Sequence, residues 1–202
     1  MSADTAGAKW KDIGLRPSHK VPTREDILVV DKTFIEVLVT IQKRLENSQI
    51  WWAVGGDAAE SMKGVWVKPD SIELLTNKDG VGKIRELMMD FSPTEVELRE
   101  TKLPREAVWG EKTYPVSIRS HYTEFGIGKV KIKVHGELQY RVGDFEWGDT
   151  VEFEPNHVWV VGGKIPHVPL NVISEIYLLL GWTDRLEKLN KAIEDASGKH
   201  PH

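Results

Sequence analysis

Cysteine is absent from the 202 residues, which excludes disulfides, thiolate nucleophiles and cysteine-based zinc sites. Histidine is present but dispersed. His19, His121, His135, His157, His167, His200 and His202 show no H-x-x-x-H spacing, so nothing points to a histidine-based metal centre. Long apolar runs are missing too: stretches such as 176–180 fall far short of a membrane span. The opening MSADTAGAKWKDIGL lacks the apolar core of a secretory signal, so a cytoplasmic protein without membrane contact is expected. Excess positive charge is also lacking. A net charge of −4 argues against broad nonspecific affinity for nucleic acid, which needs a cationic surface, and leaves room only for a local basic patch. Scarce Asn, Gln and Met beside plentiful Lys and Glu lean towards a heat-adapted source.

What is there is ordinary for a soluble globular chain: 40% hydrophobic and 29% charged residues, enough to build a core at this length. Residues 1–22 show no sustained period and read as an irregular arm that Trp10 and Leu15 could pin. Thr23, Asp26 and Asp31 offer helix starts, after which Phe34, Val37, Leu38, Ile41 and Leu45 repeat at helical spacing to about Asn47. QIWWAV reads as a buried strand ended by Gly55-Gly56, and Asp57 to Lys63 as a short helix ending at Gly64. SIELLT is a second strand. Asn77 then caps a helix whose apolar face is Val81, Ile84, Leu87, Met88 and Phe91. Strands follow at EVELRE, YPVSIRSHY and KVKIKVHG, the last two joined through GIGK as a hairpin. HVWVVGG and KIPHVPL are further extended segments. Helices over 172–180 and 184–196 close the chain, with Leu186, Leu189 and Ile193 on one face, and ASGKHPH reads as a frayed tail.

The stretch AVGGDAAESMKGVWVKPDSIELLT, residues 53–76, carries the pattern closest to chemistry. Two glycines after a strand let the backbone turn sharply and approach a ligand with no Cβ in the way. A helix starting at Asp57 or Ala58 would aim free N–H groups at the same place, where an anion is favoured. In the following strand Ser71 and Glu73 share one face while Ile72 and Leu74 take the other. A carboxylate-bearing face beside a glycine turn can hold Mg²⁺ and a polyphosphate. NKDGVGK, residues 77–83, lacks phosphate-loop spacing, and Gly80 and Gly82 fall at a helix start. Trp51, Trp52 and Trp66 flank the presumed pocket, where an aromatic ring could stack on a base, though core and rim packing is the commoner use. Trp109 and Trp147 lie in glycine-containing loops and would mark a partner surface if exposed.

The order helix, strand, Gly-Gly, short helix, strand with spaced carboxylates resembles the polymerase-β-like nucleotidyltransferase superfamily. Its pattern is an apolar residue, Gly, Gly or Ser, then about ten residues and a D-h-[DE]-h strand. The likeness is closer to the minimal and abortive-infection branch, and KIPHVPLNVISEIYLLLGWTDRLEKLNKAI resembles that branch's C-terminal segment. The resemblance implies an α+β fold with a mixed sheet flanked by helices, two strand carboxylates and a third acid holding two divalent ions, and a glycine turn with a Ser or Thr holding a triphosphate. Carried over, Gly55 and Gly56 form the turn and Asp57 stands at the Ser or Thr. Ser71 falls at the first metal-binding Asp, Glu73 at the second, and Asp70 one residue out of register. Lys131 and Lys133 occupy the strand expected to bring the third acid, and Tyr177 falls near the branch's Lys, with Asp184-Arg185 at its charged pair.

The resulting expectation is a single nucleotidyltransferase-like domain over 23–196, with an arm at 1–22 and a tail at 197–202. Its site comprises Asp70 and Glu73 as catalytic and metal-binding carboxylates, with Gly55, Gly56, Asp57, Ser71, Lys131 and Lys133 around a nucleotide. The departures at Asp57, Ser71 and the lysine strand favour a pseudo-nucleotidyltransferase that binds a protein or a nucleotide without turnover, and that needs no cofactor. The alternative is an active Mg²⁺-dependent enzyme transferring NMP from an NTP through Asp70 and Glu73. A weaker third reading is an unrelated α+β scaffold.

Overall fold

The computed structural model describes residues 32–65 and 67–198, with side chains as far as residue 194. The arm, the helix starts at Thr23, Asp26 and Asp31, Trp66 and the last four residues lie outside them. Helix α1 (Lys32–Leu45) buries Val37, Leu38, Ile41 and Leu45 along its apolar stripe, as the spacing predicts. Strand β1 (Trp52–Gly55) is buried throughout. It begins later than QIWWAV predicts, because Gln49 takes φ 56° and breaks the extended run. Helix α2 (Gly56–Met62) follows at once, and Gly64 ends the segment at φ 84°. Strand β2 (Ser71–Thr76) leads to α3 (Lys78–Leu87), where the Asn77 side chain accepts the Gly80 N–H at 2.7 Å. Gly80 serves packing: a Cβ there would lie 2.0 Å from Thr76 Oγ1. Leu87 departs from the expected apolar face and is 39% exposed, whereas Val81, Ile84 and Met88 are fully buried.

A one-turn 3-10 helix (Met89–Phe91) precedes β3 (Glu97–Lys102), which is shifted two residues from EVELRE. The hairpin β4 (Ala107–Trp109) and β5 (Lys112–Tyr114) was not predicted. Strands β6 (Val116–Ile127) and β7 (Val130–Val142) form the long hairpin that GIGK implies, with a register shift between Arg119 and His121. Then come β8 (Asn156–Val160), β9 (Gly163–His167), α4 (Leu170–Leu179) and α5 (Thr183–Gly198). Helix α5 therefore includes the ASG assigned to a frayed tail.

Seven strands form one mixed sheet in the order β3-β6-β7-β2-β1-β9-β8. The pairs β2–β7 and β1–β9 are parallel and the others antiparallel. Alternation along the central strands gives the sheet two unlike faces. Ile72, Leu74, Ile132 and Val134 are fully buried on the face that α3 covers. There the backbone of Gly136 comes so close that a Cβ would meet Val81 and the Asn77 carbonyl. Helix α1 lies beside α3, joined through Arg44, which donates to the Leu87 carbonyl and to Asp90. Ser71, Glu73, Lys131 and Lys133 project from the opposite face. This α+β mixed sheet with flanking and C-terminal helices is the predicted fold class.

Candidate functional site

The glycine turn is built over a carboxylate. Gly55 ends β1 in extended conformation (φ −114°), and a Cβ there would stand 3.2 Å from Leu75 Cγ. Gly56 takes φ 56°, in the left-handed region that suits glycine, and a Cβ there would lie 2.7 Å from Glu73 Oε2. Both steric demands arise because β1 and β2 pair antiparallel with Gly55 opposite Glu73.

On its other side β2 pairs with β7 in parallel, Ser71 beside Lys131 and Glu73 beside Lys133. Lys133 Nζ lies 3.8 Å from Glu73 Oε1. Lys131 turns away to Glu124 on β6, at 3.0 Å. Glu124 also accepts the Tyr122 hydroxyl and lies 3.7 Å from Arg99. The Tyr122 hydrogen bond, with Lys131 and Arg99, holds the Glu124 carboxyl below its ordinary pKa. Burial raises the pKa of Glu73; Lys133 opposes that rise, and the charges of Asp57 and Asp70 add to it. Asp70 lies just before β2, exposed, and its Oδ1 accepts the Ser71 hydroxyl at 2.8 Å.

Asp57 does not cap α2. The cap position is Gly55, with no side-chain hydrogen bond, and Asp57 sits in the first turn. Its carboxylate is taken by Arg185 of α5. The same guanidinium donates to Glu60 at 3.1 Å and to the Tyr177 hydroxyl at 2.9 Å, while Tyr177 donates to Glu60. Glu60 is 1% exposed. Its burial raises its pKa more than Tyr177 and Arg185 lower it. Burial alone would lower the pKa of Arg185, but the bond to Asp57 and the charge of Glu60 hold it above its ordinary value. Sequence reasoning placed Tyr177 and Arg185 near family positions but missed Glu60. The available signal was a lone long acid among the small residues of GDAAESM.

The tryptophans fall elsewhere. Trp52 lies on the β1 face opposite the Glu73 side and is 6% exposed. Trp51 precedes β1 at the far end from the glycine turn, so neither ring borders Glu73. Trp109 is 38% exposed, packs against Tyr114 and Phe145, and donates its indole N–H to the Leu179 carbonyl. The guanidinium groups of Arg119 and Arg141 both lie over the Trp147 ring, at 4.5 and 4.6 Å from its centroid.

Mg²⁺ requires oxygen ligands converging on one point. Among the described residues no group of three or more His, Asp and Glu side chains does so. Glu73 faces an ammonium, Asp57 a guanidinium and Asp70 a seryl hydroxyl. This donor set does not fit a two-ion centre.

Among solved structures, the chain is similar to a provisionally named nucleotidyltransferase of Thermotoga maritima, at 25% identity and a TM-score of 0.60, over 85% of this chain and 99% of that one. The fold is that of the nucleotidyltransferase superfamily. ANT(2'')-Ia in complex with adenylyl-2''-tobramycin is a more distant neighbour, at 11% identity and a TM-score of 0.48 over 82% of this chain and 90% of that one. The lincosamide antibiotic adenylyltransferase LnuA, with lincomycin bound, gives 12% and 0.44 over 81% and 98%. No family model and no curated protein matches the chain significantly. On this nucleotidyltransferase fold the glycine turn, Ser71, Glu73 and the lysine strand are neighbours in space, while Asp57 is drawn towards the C-terminal helices. Among the described residues no helix is long and apolar enough to cross a membrane.

Proposed function

We propose that this chain is a catalytically degenerate nucleotidyltransferase, binding a protein partner or a nucleotide without transferring NMP. The observation that supports this best is the pairing of Glu73 with Lys133 across β2 and β7, with Ser71 at the position of the first carboxylate. An ammonium beside Glu73 neutralises the charge a divalent ion would need, and a hydroxyl supplies no anionic ligand. The triphosphate side is altered in the same sense. Asp57 brings negative charge to the turn, and Arg185, the cation that offsets it, is already engaged by Asp57, Glu60 and Tyr177.

The active-enzyme reading has one observation in its favour. Asp57 and Asp70 lie close enough to Glu73 to raise its pKa, so three carboxylates share a neighbourhood without sharing a ligand position. Incubation with labelled NTPs and Mg²⁺ or Mn²⁺, across a panel of hydroxyl acceptors, separates the two. No label transfer above background is expected, from the parent or from Glu73→Ala. Transfer by the parent that disappears in Glu73→Ala would overturn the proposal.

A further inference from the structure

A second concavity lies at the other end of the same strands. Gly55 and Glu73 pair at the glycine turn, whereas Trp52 and Thr76 pair three residues away, about 10 Å along the sheet. Beyond that pair a pocket of about 310 Å³ opens, lined among others by Trp51, Thr76, Asn77, Glu137, Glu152 and Phe153, a size that suits a small molecule. Its outer wall is fixed in place: the Val151 N–H donates to the Leu138 carbonyl at 3.0 Å, and the Gly148 N–H to the Tyr140 carbonyl at 2.9 Å. Trp51 and Phe153 meet with ring centroids 5.1 Å apart and form one aromatic wall. Glu137 reaches the pocket from a left-handed backbone position, φ 54°, that a non-glycine residue seldom adopts.

The charge is one-sided. Among the described residues no Lys or Arg lines the pocket. Between Arg141 and Lys164 the chain has none at all, but carries Asp144, Glu146, Asp149, Glu152 and Glu154. The basic group facing Glu137 is His121 of β6, at 3.8 Å. An aromatic wall with two carboxylates at its rim complements a cation that has an apolar body, through ring faces and charge-assisted hydrogen bonds together. We propose that this pocket binds a small cationic amine, an ammonium or guanidinium group on an apolar stem. The site is separate from the glycine turn and does not depend on whether that turn handles nucleotides.

The test is calorimetric titration of the full chain with spermidine at low salt. Saturable binding is expected, weakened about tenfold or more in Glu137→Gln/Glu152→Gln and weakened also in Trp51→Leu. Asp144→Asn/Glu146→Gln, altered outside the pocket, should bind as the parent does. The four substituted carboxylates are exposed, and unchanged thermal melts confirm that these variants fold. Absence of saturable spermidine binding overturns the proposal. So does undiminished binding by the Glu137/Glu152 variant, or equal weakening by the Asp144/Glu146 variant, which would mean diffuse counter-ion attraction.

Discussion

Ser71 and Lys133 hold neighbouring places on one sheet face, and each changes what Glu73 can do. A carboxylate beside an ammonium forms an ion pair; beside further carboxylates it repels them until a cation arrives. Replacing both neighbours with aspartate tests that difference directly. Ser71→Asp/Lys133→Asp places three acids around one point, and it should take up Mn²⁺ or Mg²⁺ more tightly than the parent, read by calorimetry. A folded double variant with no metal uptake would show that side-chain charge is not what separates this site from a metal centre. Period-two alternation made it legible that Lys131 and Lys133 share a face. Which lysine meets Glu73 was not legible. That depends on the register of β2 against β7, strands more than fifty residues apart, and on Glu124 of a third strand drawing Lys131 away.

At the scale of elements, amphipathic α1 and α3, capped by Asn77, could be read directly because their stripes are long enough to show a period. The β4–β5 hairpin could not, since three-residue strands carry no resolvable alternation. Helix α2 is held at its far side by α4 and α5 through Glu60, Tyr177 and Arg185. Removing the cation leaves Glu60 buried without its charged partner, a costly state. Arg185→Ala should destabilise the chain by about 3 kcal/mol in chemical denaturation, the quarter exposure of Arg185 keeping the loss at the lower end of the range for a broken buried pair. Adding Glu60→Gln should recover part of it. If the two substitutions are instead additive, the ion pair is not what couples these helices.

At the scale of the whole molecule, the sheet order inserts β2 between β7 and β1, which buries the middle of β7. His135 sits there at 5% exposure, its Nδ1 2.9 Å from the Ser120 hydroxyl, its ring edge-on to Tyr122, and with no acid of the described residues among the charges that shift it. Burial, with the nearby charges of Lys133 and Arg99, lowers its pKa to about 4. The unfolded chain therefore binds a proton before the folded one does. Stability is unaffected above the ordinary histidine pKa of 6.5 and falls as pH drops from there to about 4. The loss is on the order of 3 kcal/mol. The buried Glu60 and the half-buried Glu73, whose pKa values are raised, act in the opposite sense, so the comparison is with His135→Gln, in which they cancel. Thermal melts across that range should show a shallower decline in the variant. Equal slopes would mean that His135 is accessible to protons in the folded state.

The sequence by itself determined the helices with long apolar stripes, the buried central strands, the Gly-Gly turn with Glu73 in the strand after it, and the resemblance that named the fold. All of these depend on local spacing, which periodicity and backbone sterics make readable. Only the tertiary structure decided that Lys133 rather than Lys131 faces Glu73, that Asp57 points to Arg185, that Glu60 is buried, and that Trp51 lines a different pocket. Each of those depends on strand register or helix docking between distant segments, where packing of the whole chain selects one partner among several that local pattern leaves equal.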